Sequence, residues 1–315
     1  MTPENTSRAA REMPNGVVIV DKPRGPTSHD VVARVRRALK TRHVGHAGTL
    51  DPMATGVLVV AVGEATKLVP WLTADDKSYE ATIRLGIDTD TLDAEGSEVG
   101  RAPVPDEVVR AIRDGGPSSL LDAALATERA RTEQVPPAFS AIRIGGQRAH
   151  ELARAGRIDG ELPARPVEVR ALEVAGGRVE GDVVELDVRV EAAKGFFVRS
   201  LARDLSRGLG TLGHLTALRR VRSGAFTIAD AIPLENVGRG ALLTVSGAAA
   251  RALPVTVLDE AGVRAVSYGQ RVAPEQMTDP HPCPSAWLDG SSRLVAIGEC
   301  GPDGAGRVLR GFPAS

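Results

Sequence analysis

The sequence predicts an α+β protein, and three stretches carry that prediction. "VVELDVRVEA" alternates Val184, Leu186, Val188 and Val190 with Glu185, Asp187, Arg189 and Glu191, the two-residue period of a strand with one buried and one wet face. "FVRSLARDLSRGLG" puts Val198, Leu201, Leu205 and Leu209 on one helical stripe, and Arg199 with Arg203 on another. The C-terminal stretch has no long helical period and offers only short strands, "VRAVSYGQRV", "SAWLDG" and "SRLVAIGEC", separated by turn-formers. A large α+β unit with a small C-terminal β-barrel follows, and 315 residues suffice for both.

Residues 1–15 are polar and predict a disordered lead-in. "GVVIVDKPRG" is a short buried strand ended by a Pro/Gly turn. Thr27 and Asp30 have capping-box spacing ahead of "VVARVRRALK", where Val31, Val35 and Leu39 share one face. A glycine-rich loop, "RHVGHAGTLDPMATG", leads into "VLVVAV", apolar at every position as a central strand would be. "GEATKLVPWLT" predicts a short helix and "KSYEATIRLG" another strand, while residues 103–125 predict surface-lying helix. "EQVPPAFSAIRIGGQRAHELARAG" opens on a Pro pair and carries a Gly-Gly turn, which predicts a mobile lobe over about residues 133–160. Enrichment in Ala and Gly over "GRGALLTVSGAAARALP" marks the approach to a domain boundary near residue 250.

Hydrophobic content of 42% and charged content of 25% are those of an ordinary soluble protein. The net charge of −1 singles out no partner, but its distribution is uneven. Residues 22–46 hold Lys22, Arg24, Arg34, Arg36, Arg37, Lys40 and Arg42 against Asp30 alone. Residues 194–222 hold Lys194, Arg199, Arg203, Arg207, Arg219, Arg220 and Arg222 against Asp204. Meeting in space, the two segments would form a phosphate-binding face; apart, they would be solvated helix faces. Acids collect elsewhere, at Asp88, Asp90, Asp93 and Glu95.

Cys283 and Cys300 lack ligand spacing, which argues against structural zinc and for a reduced, cytoplasmic setting. The N-terminus has no apolar export core, and the longest aliphatic run, residues 56–62, is too short to cross a bilayer. Nothing in the pattern suggests an interface, so a monomer is expected.

Asp51 is the residue that asks for a chemical explanation. A carboxylate before proline is most often a turn residue. Here Gly45, Gly48 and Gly56 would let a bulky ligand approach, His43 and His46 lie nearby, and a basic helix precedes the loop. Metal binding by His43, His46 and Asp51 is the rival chemistry, weak because HxxH in a glycine loop lacks further ligands. A Ser/His/Asp triad is weaker still: Ser28 and His29 are adjacent at a helix start and there is no GxSxG elbow.

Taken together, "GVVIVDKPRGPTSHDVV", "RHVGHAGTLDPMATGVLVVAVGEATKL", "DKSYEATIRLG", "KGFFVRSLARDL" and "ALRR" resemble, in order and spacing, the bacterial tRNA pseudouridine synthase B family. The resemblance runs from Gly16 to about Ile232 and, more faintly, over the C-terminal segment. It implies the pseudouridine synthase fold, a central mixed or antiparallel sheet flanked by helices, over residues 16–250, and a PUA-like RNA-binding β-barrel over residues 251–315. It also implies isomerisation of a flipped-out uridine at tRNA position 55, in the T-loop, with no cofactor or metal and the T-arm as partner.

The same resemblance assigns the residues. Asp51 becomes the nucleophile or base that acts on the sugar or on uracil C6, Arg199 its ion-pair partner, and Tyr79 the aromatic that stacks on uracil and is a candidate for taking the C5 proton. Leu218 would close the pocket from the apolar side, with Gly48 and Thr49 at the substrate. Lys22 and His46 match positions at the mouth of the site and the RNA. Arg42, His43, Arg143, Arg148, Lys194, Arg219 and Arg220 are the remaining RNA contacts, with His150 beside them in the lobe. Phe196, Phe197 and Phe139 depart from the family pattern by removing hydroxyl groups near the pocket. Phe197 therefore speaks for an alternative, an RNA-binding protein with weakened chemistry.

Overall fold

The structure is a computed structural model that describes residues 13–312, apart from 75, 141, 145, 156 and 158–161. Strands β1 (Gly16–Lys22), β2 (Val44–Ala47), β3 (Thr55–Val62), β4 (Lys77–Leu85), β5 (Val169–Glu180), β6 (Val183–Ala192) and β7 (Gly213–Ser223) build one sheet in the order β5-β6-β4-β7-β3-β1, with β2 also on β3. Phe226–Thr227 and Ile232–Pro233 extend it to nine strands among the described residues. The sheet is mixed: β7 runs parallel to β3, through Arg219 opposite Thr55 and Arg220 opposite Gly56, and antiparallel to β4.

One face of this sheet shares a core with helices α1 (Ser28–Leu39), α3 (Asp106–Asp114), α4 (Ser119–Arg129) and α5 (Val198–Gly208); the short α2 (Val69–Ala74) follows β3. As its spacing predicts, α1 begins with Thr27 and Asp30 in a capping box. Helices α3 and α4 lie deeper than a surface element: Val108, Leu121 and Leu125 are buried in the main core.

The opposite face of β1 and β3 buries Val17, Ile19, Val57 and Val59 against Ala248 and Ala249 of α6 (Val245–Ala252) and against Ala286, Leu288, Ile297 and Phe312. The apolar core therefore continues past residue 250.

The C-terminal strands β8 (Val255–Leu258), β9 (Met277–Thr278), β10 (Ser285–Leu288), β11 (Leu294–Cys300) and β12 (Gly306–Gly311) pair in the order β9-β8-β10-β11-β12. Among the described residues this is an open sheet and not the expected closed barrel: the edge strands β9 and β12 are unpaired with each other, and a single bridge, Val272 to Gly306, links β12 to the loop before β9. The first half of the stretch "VRAVSYGQRV", predicted as strand, belongs to α7 (Glu260–Ser267). The Asp259 carboxylate accepts from the Gly262 amide at 2.7 Å and starts this helix, which turns Val263 and Val266 onto the cluster around Trp287.

Asn15, at the end of the expected lead-in, accepts from the Glu64 amide at 3.0 Å, and residues 1–12 lie outside the described residues. In the lobe, the strands Arg143–Ile144 and Gln147–Arg148 pair and lead into the helix Ala149–Arg154. The side chains of Arg143, Arg148 and His150 lie outside the described residues. Among the described residues, no helix is long and apolar enough to cross a membrane.

Candidate active site

The loop between β2 and β3 is held by the block "KPRGPTS" beneath it. Ser28 Oγ donates to the Leu50 carbonyl at 3.0 Å and accepts from the Leu50 amide at 2.8 Å. Lys22 Nζ donates to the carbonyls of Pro23, Pro52 and Ala54 at 3.1, 3.2 and 2.7 Å. The Gly25 amide donates to the Pro52 carbonyl at 2.8 Å, and the Ala54 amide to the Asp51 carbonyl at 3.1 Å. Gly56 has φ +99°, and a Cβ there would stand 2.2 Å from the Arg220 carbonyl, so the close β3–β7 approach demands glycine.

This scaffold presents Asp51, whose side chain keeps about a third of its surface exposed, 34%. Arg199 Nε lies 2.9 Å from Asp51 Oδ2, and the rest of the guanidinium is also committed. One terminal nitrogen donates to the Thr91 carbonyl at 3.0 Å and faces Asp93 Oδ2 at 3.5 Å; the other donates to the Phe139 carbonyl at 2.9 Å. A fork with fixed donors on four partners leaves the ion pair little freedom. A cavity of about 120 Å³ opens over the pair, lined by Asp51, Tyr79, Phe196, Phe197 and Leu218, with Thr49, Leu50, Ser140, Val198 and Arg199. The Phe197 backbone is held by the side-chain amide of Gln134, which accepts from its N–H at 2.9 Å and donates to its carbonyl at 3.2 Å.

Asp93 is a site residue that the sequence pattern misses. It sits in an acidic stretch that reads as solvated, yet it is buried, accepts from Thr91 Oγ1 and from the Glu95 amide, and backs Arg199. The signal that could have found it is an acid four residues beyond Thr89 in a turn that bonds its own backbone.

Two expected RNA contacts are internal instead. Lys22 is fully buried, and its three protons are spent on loop carbonyls, so it cannot meet RNA at the mouth. Burial lowers its pKa to about 8, against the opposing pull of Asp51 and Glu95 and with a further push from Arg220. Arg220 is fully buried too, donating to the carbonyls of Val57, Gly48 and Thr49. Arg219 is half-buried and neutralised by Asp21, at 2.8 and 3.1 Å. More of the second basic segment is spent internally, Arg203 on Asp204 and Arg222 on Glu191. Arg24, Arg34, Arg37, Lys40, Arg42, His43 and Lys194 remain exposed.

His46, on β2, is half-buried and lies outside the lining of the Asp51 cavity. Its ring meets His29 edge-on at 5.4 Å, and its buried Nδ1 has no hydrogen-bond partner among the described residues. Burial, with His29 and Arg220 nearby, lowers its pKa to about 4, so the ring is neutral at neutral pH. Among the described residues, His43, His46 and Asp51 form no metal-ligating group.

The geometry has clear relatives among known proteins. The TruB family pseudouridylate synthase N-terminal domain matches residues 36–198, and the tRNA pseudouridylate synthase B C-terminal domain matches residues 199–258. A tRNA pseudouridine synthase B of Thermobifida fusca is 46% identical over 91% of this chain and 95% of its own length, and that of Corynebacterium efficiens is 45% identical over 90% and 92%. Among solved structures, an H/ACA RNP bound to a substrate RNA containing 2′-deoxyuridine superposes with a TM-score of 0.68 at 24% identity, over 96% of this chain and 86% of that one. A Cbf5-Nop10-Gar1 complex gives 0.67 at 26%, over 91% and 79%. With an aspartate presented by "GTLDPMATG" and clamped by an arginine from the last helix before β7, this chain belongs to the TruB family of tRNA pseudouridine synthases, isomerases that act on tRNA.

Proposed function

We propose that the chain converts the uridine at position 55, in the T-loop of tRNA, to pseudouridine, with Asp51 as nucleophile. The observation that carries this reading is the Asp51–Arg199 pair on the floor of a small, aromatic-walled cavity in which Asp51 is the one carboxylate among the described lining residues. Breaking the N1–C1′ bond leaves an electron-poor C1′ that a carboxylate can bond or stabilise. The freed uracil must stay, turn and rejoin through C5, so a second carboxylate activating water would waste it. Phe196, Phe197 and Leu218 exclude water around the base, while Tyr79 stacks on it and takes the C5 proton.

A uridine in a folded loop has to leave its stack to reach this cavity. His46, neutral and only half-buried, suits the space that the base vacates, since an uncharged ring stacks without the cost of desolvating an ion. Thr49 and Gly48 border the base, and Arg42, His43 and Lys194, with Arg143 and Arg148 of the lobe, meet the phosphates. Residues 16–250 carry the chemistry and residues 251–315 add a second hold on the RNA.

Carbodiimide mapping of an unmodified tRNA transcript after incubation with the protein tests the target. One new pseudouridine at position 55 is expected. Modification confined to another stem-loop would overturn the assignment of the target.

A further inference from the structure

Arg220 and Lys22 are the largest charged side chains that the fold buries completely. For Lys22 the nearby acids Asp51 and Glu95 offset the charge. Arg220 has no such neighbour: among the described residues, no carboxylate lies within ion-pair distance of it. Its Nε donates to the Val57 carbonyl at 2.7 Å, and its terminal nitrogens donate to Gly48 at 3.0 Å and Thr49 at 3.4 Å. Carbonyls offer partial charges only, and a buried cation without an anion is costly.

One neighbour of Arg220 can carry a full negative charge. Tyr79 stands directly opposite it across β4 and β7, close enough for the side chains to meet. Burial pushes the guanidinium below its ordinary pKa, and the charge and hydrogen bond of the Tyr79 hydroxyl push it back up. Tyr79 lines the Asp51 cavity and Arg220 lies behind it, outside the lining. The same guanidinium thus ties the phenol to the backbone two and three residues before Asp51.

We propose that Arg220 is a positioning residue that acts through Tyr79, fixing the phenol over C5 and compensating the negative charge on its oxygen when it accepts the C5 proton. The inference deepens the isomerase reading and rests on it. Once C5 has bonded to C1′, it carries both the sugar and its hydrogen. The C5–H bond then breaks, its proton passes to the Tyr79 phenolate oxygen, its electron pair restores the C5–C6 double bond, and the C6–N1 π pair withdraws onto N1, which takes a proton from water. Tyr79 reaches the phenolate by releasing its own proton to water, and Arg220 is the cation left facing it. Asp51 is held by Arg199 on the sugar side and is free of this task.

Single-turnover assays on a T-arm stem-loop with protium or deuterium at uridine C5 test this. Arg220→Lys is expected to form pseudouridine about 100-fold more slowly, with unchanged stem-loop affinity and a deuterium isotope effect clearly larger than that of wild type. A slowed reaction with the wild-type isotope effect, which a merely structural lesion would give, overturns the proposal. Tyr79→Phe should cost far less in the Arg220→Lys background than in wild type; additive losses overturn it as well. Should Arg220→Lys fail to fold, Tyr79→Phe carries the test by melting. Removing only the phenol oxygen leaves an Arg220 donor unsatisfied and is expected to lower the melting temperature by several degrees, whereas an unchanged value overturns the contact. If wild type forms no pseudouridine in the protium arm, the isomerase reading itself fails, a result separate from every outcome above.

Discussion

Arg199 Nε stands 2.9 Å from Asp51 Oδ2, and the arginine that makes this contact is only 6% exposed. The carboxylate is thus partly open to a substrate while its partner is locked in the protein, held by Thr91, Asp93 and Phe139 on its other nitrogens. A lysine could match the charge but not the four-way fork. Arg199→Lys is expected to lower the single-turnover rate about 100-fold or more with tRNA affinity nearly unchanged. Filter binding and rapid-quench kinetics on one preparation separate the two effects.

Ser28 couples the helix start to the loop that presents Asp51 through both polar groups of Leu50. Ser28→Ala leaves a buried amide and carbonyl without partners, at a cost of about 1–3 kcal/mol in unfolding free energy. The loss should appear in urea titration, accompanied by a lower rate because Asp51 follows Leu50 directly.

Lys22 gives a pH signature in which stability and activity move in opposite directions. Its folded pKa, about 8, lies below the ordinary 10.5, so the unfolded chain binds the proton more tightly. Below pH 8 both states are protonated and the burial cost is constant. Between pH 8 and 10.5 the unfolded state holds more protons, and stability contributed by this residue rises with pH, by up to ~3 kcal/mol. Activity should fall over the same window, because a neutral amine has one donor fewer for the carbonyls of Pro23, Pro52 and Ala54. Lys22→Met, measured by melting and single-turnover rate across this range, should lack both dependences.

Lys194 and Arg219 belong to the same basic segment but should behave differently. Lys194 is exposed, with no acidic partner among the described residues, whereas Arg219 is paired with Asp21. Lys194→Met is expected to reduce the salt slope of tRNA binding by about 1, and Arg219→Met by much less. Binding isotherms at several salt concentrations distinguish them.

The Asp51 loop is legible because its evidence is local: glycines, a proline and a carboxylate within a few residues, between a capped helix and an apolar strand. Its supports are less so. Nothing in a sequence pattern marks Lys22 and Arg220 as buried, because both spend their donors on main-chain carbonyls of a distant segment, and such contacts leave no complementary acid to notice. Asp93 is hidden by its acidic neighbours, which resemble a solvated turn until Arg199 is brought to them by α5. In the C-terminal unit, Val263 and Val266 suggest a strand, and the cap at Asp259 overrides that preference.

The central claim is that Asp51 performs the isomerisation, and tritium release from a T-arm stem-loop carrying 5-tritiated uridine tests it most directly. The C5 hydrogen leaves only once the new carbon–carbon bond is complete. Stoichiometric release by wild type and none by Asp51→Asn, with RNA binding retained, is the expected result. Binding by wild type without release, from the stem-loop or from whole tRNA, or release by Asp51→Asn at the wild-type rate, would contradict it.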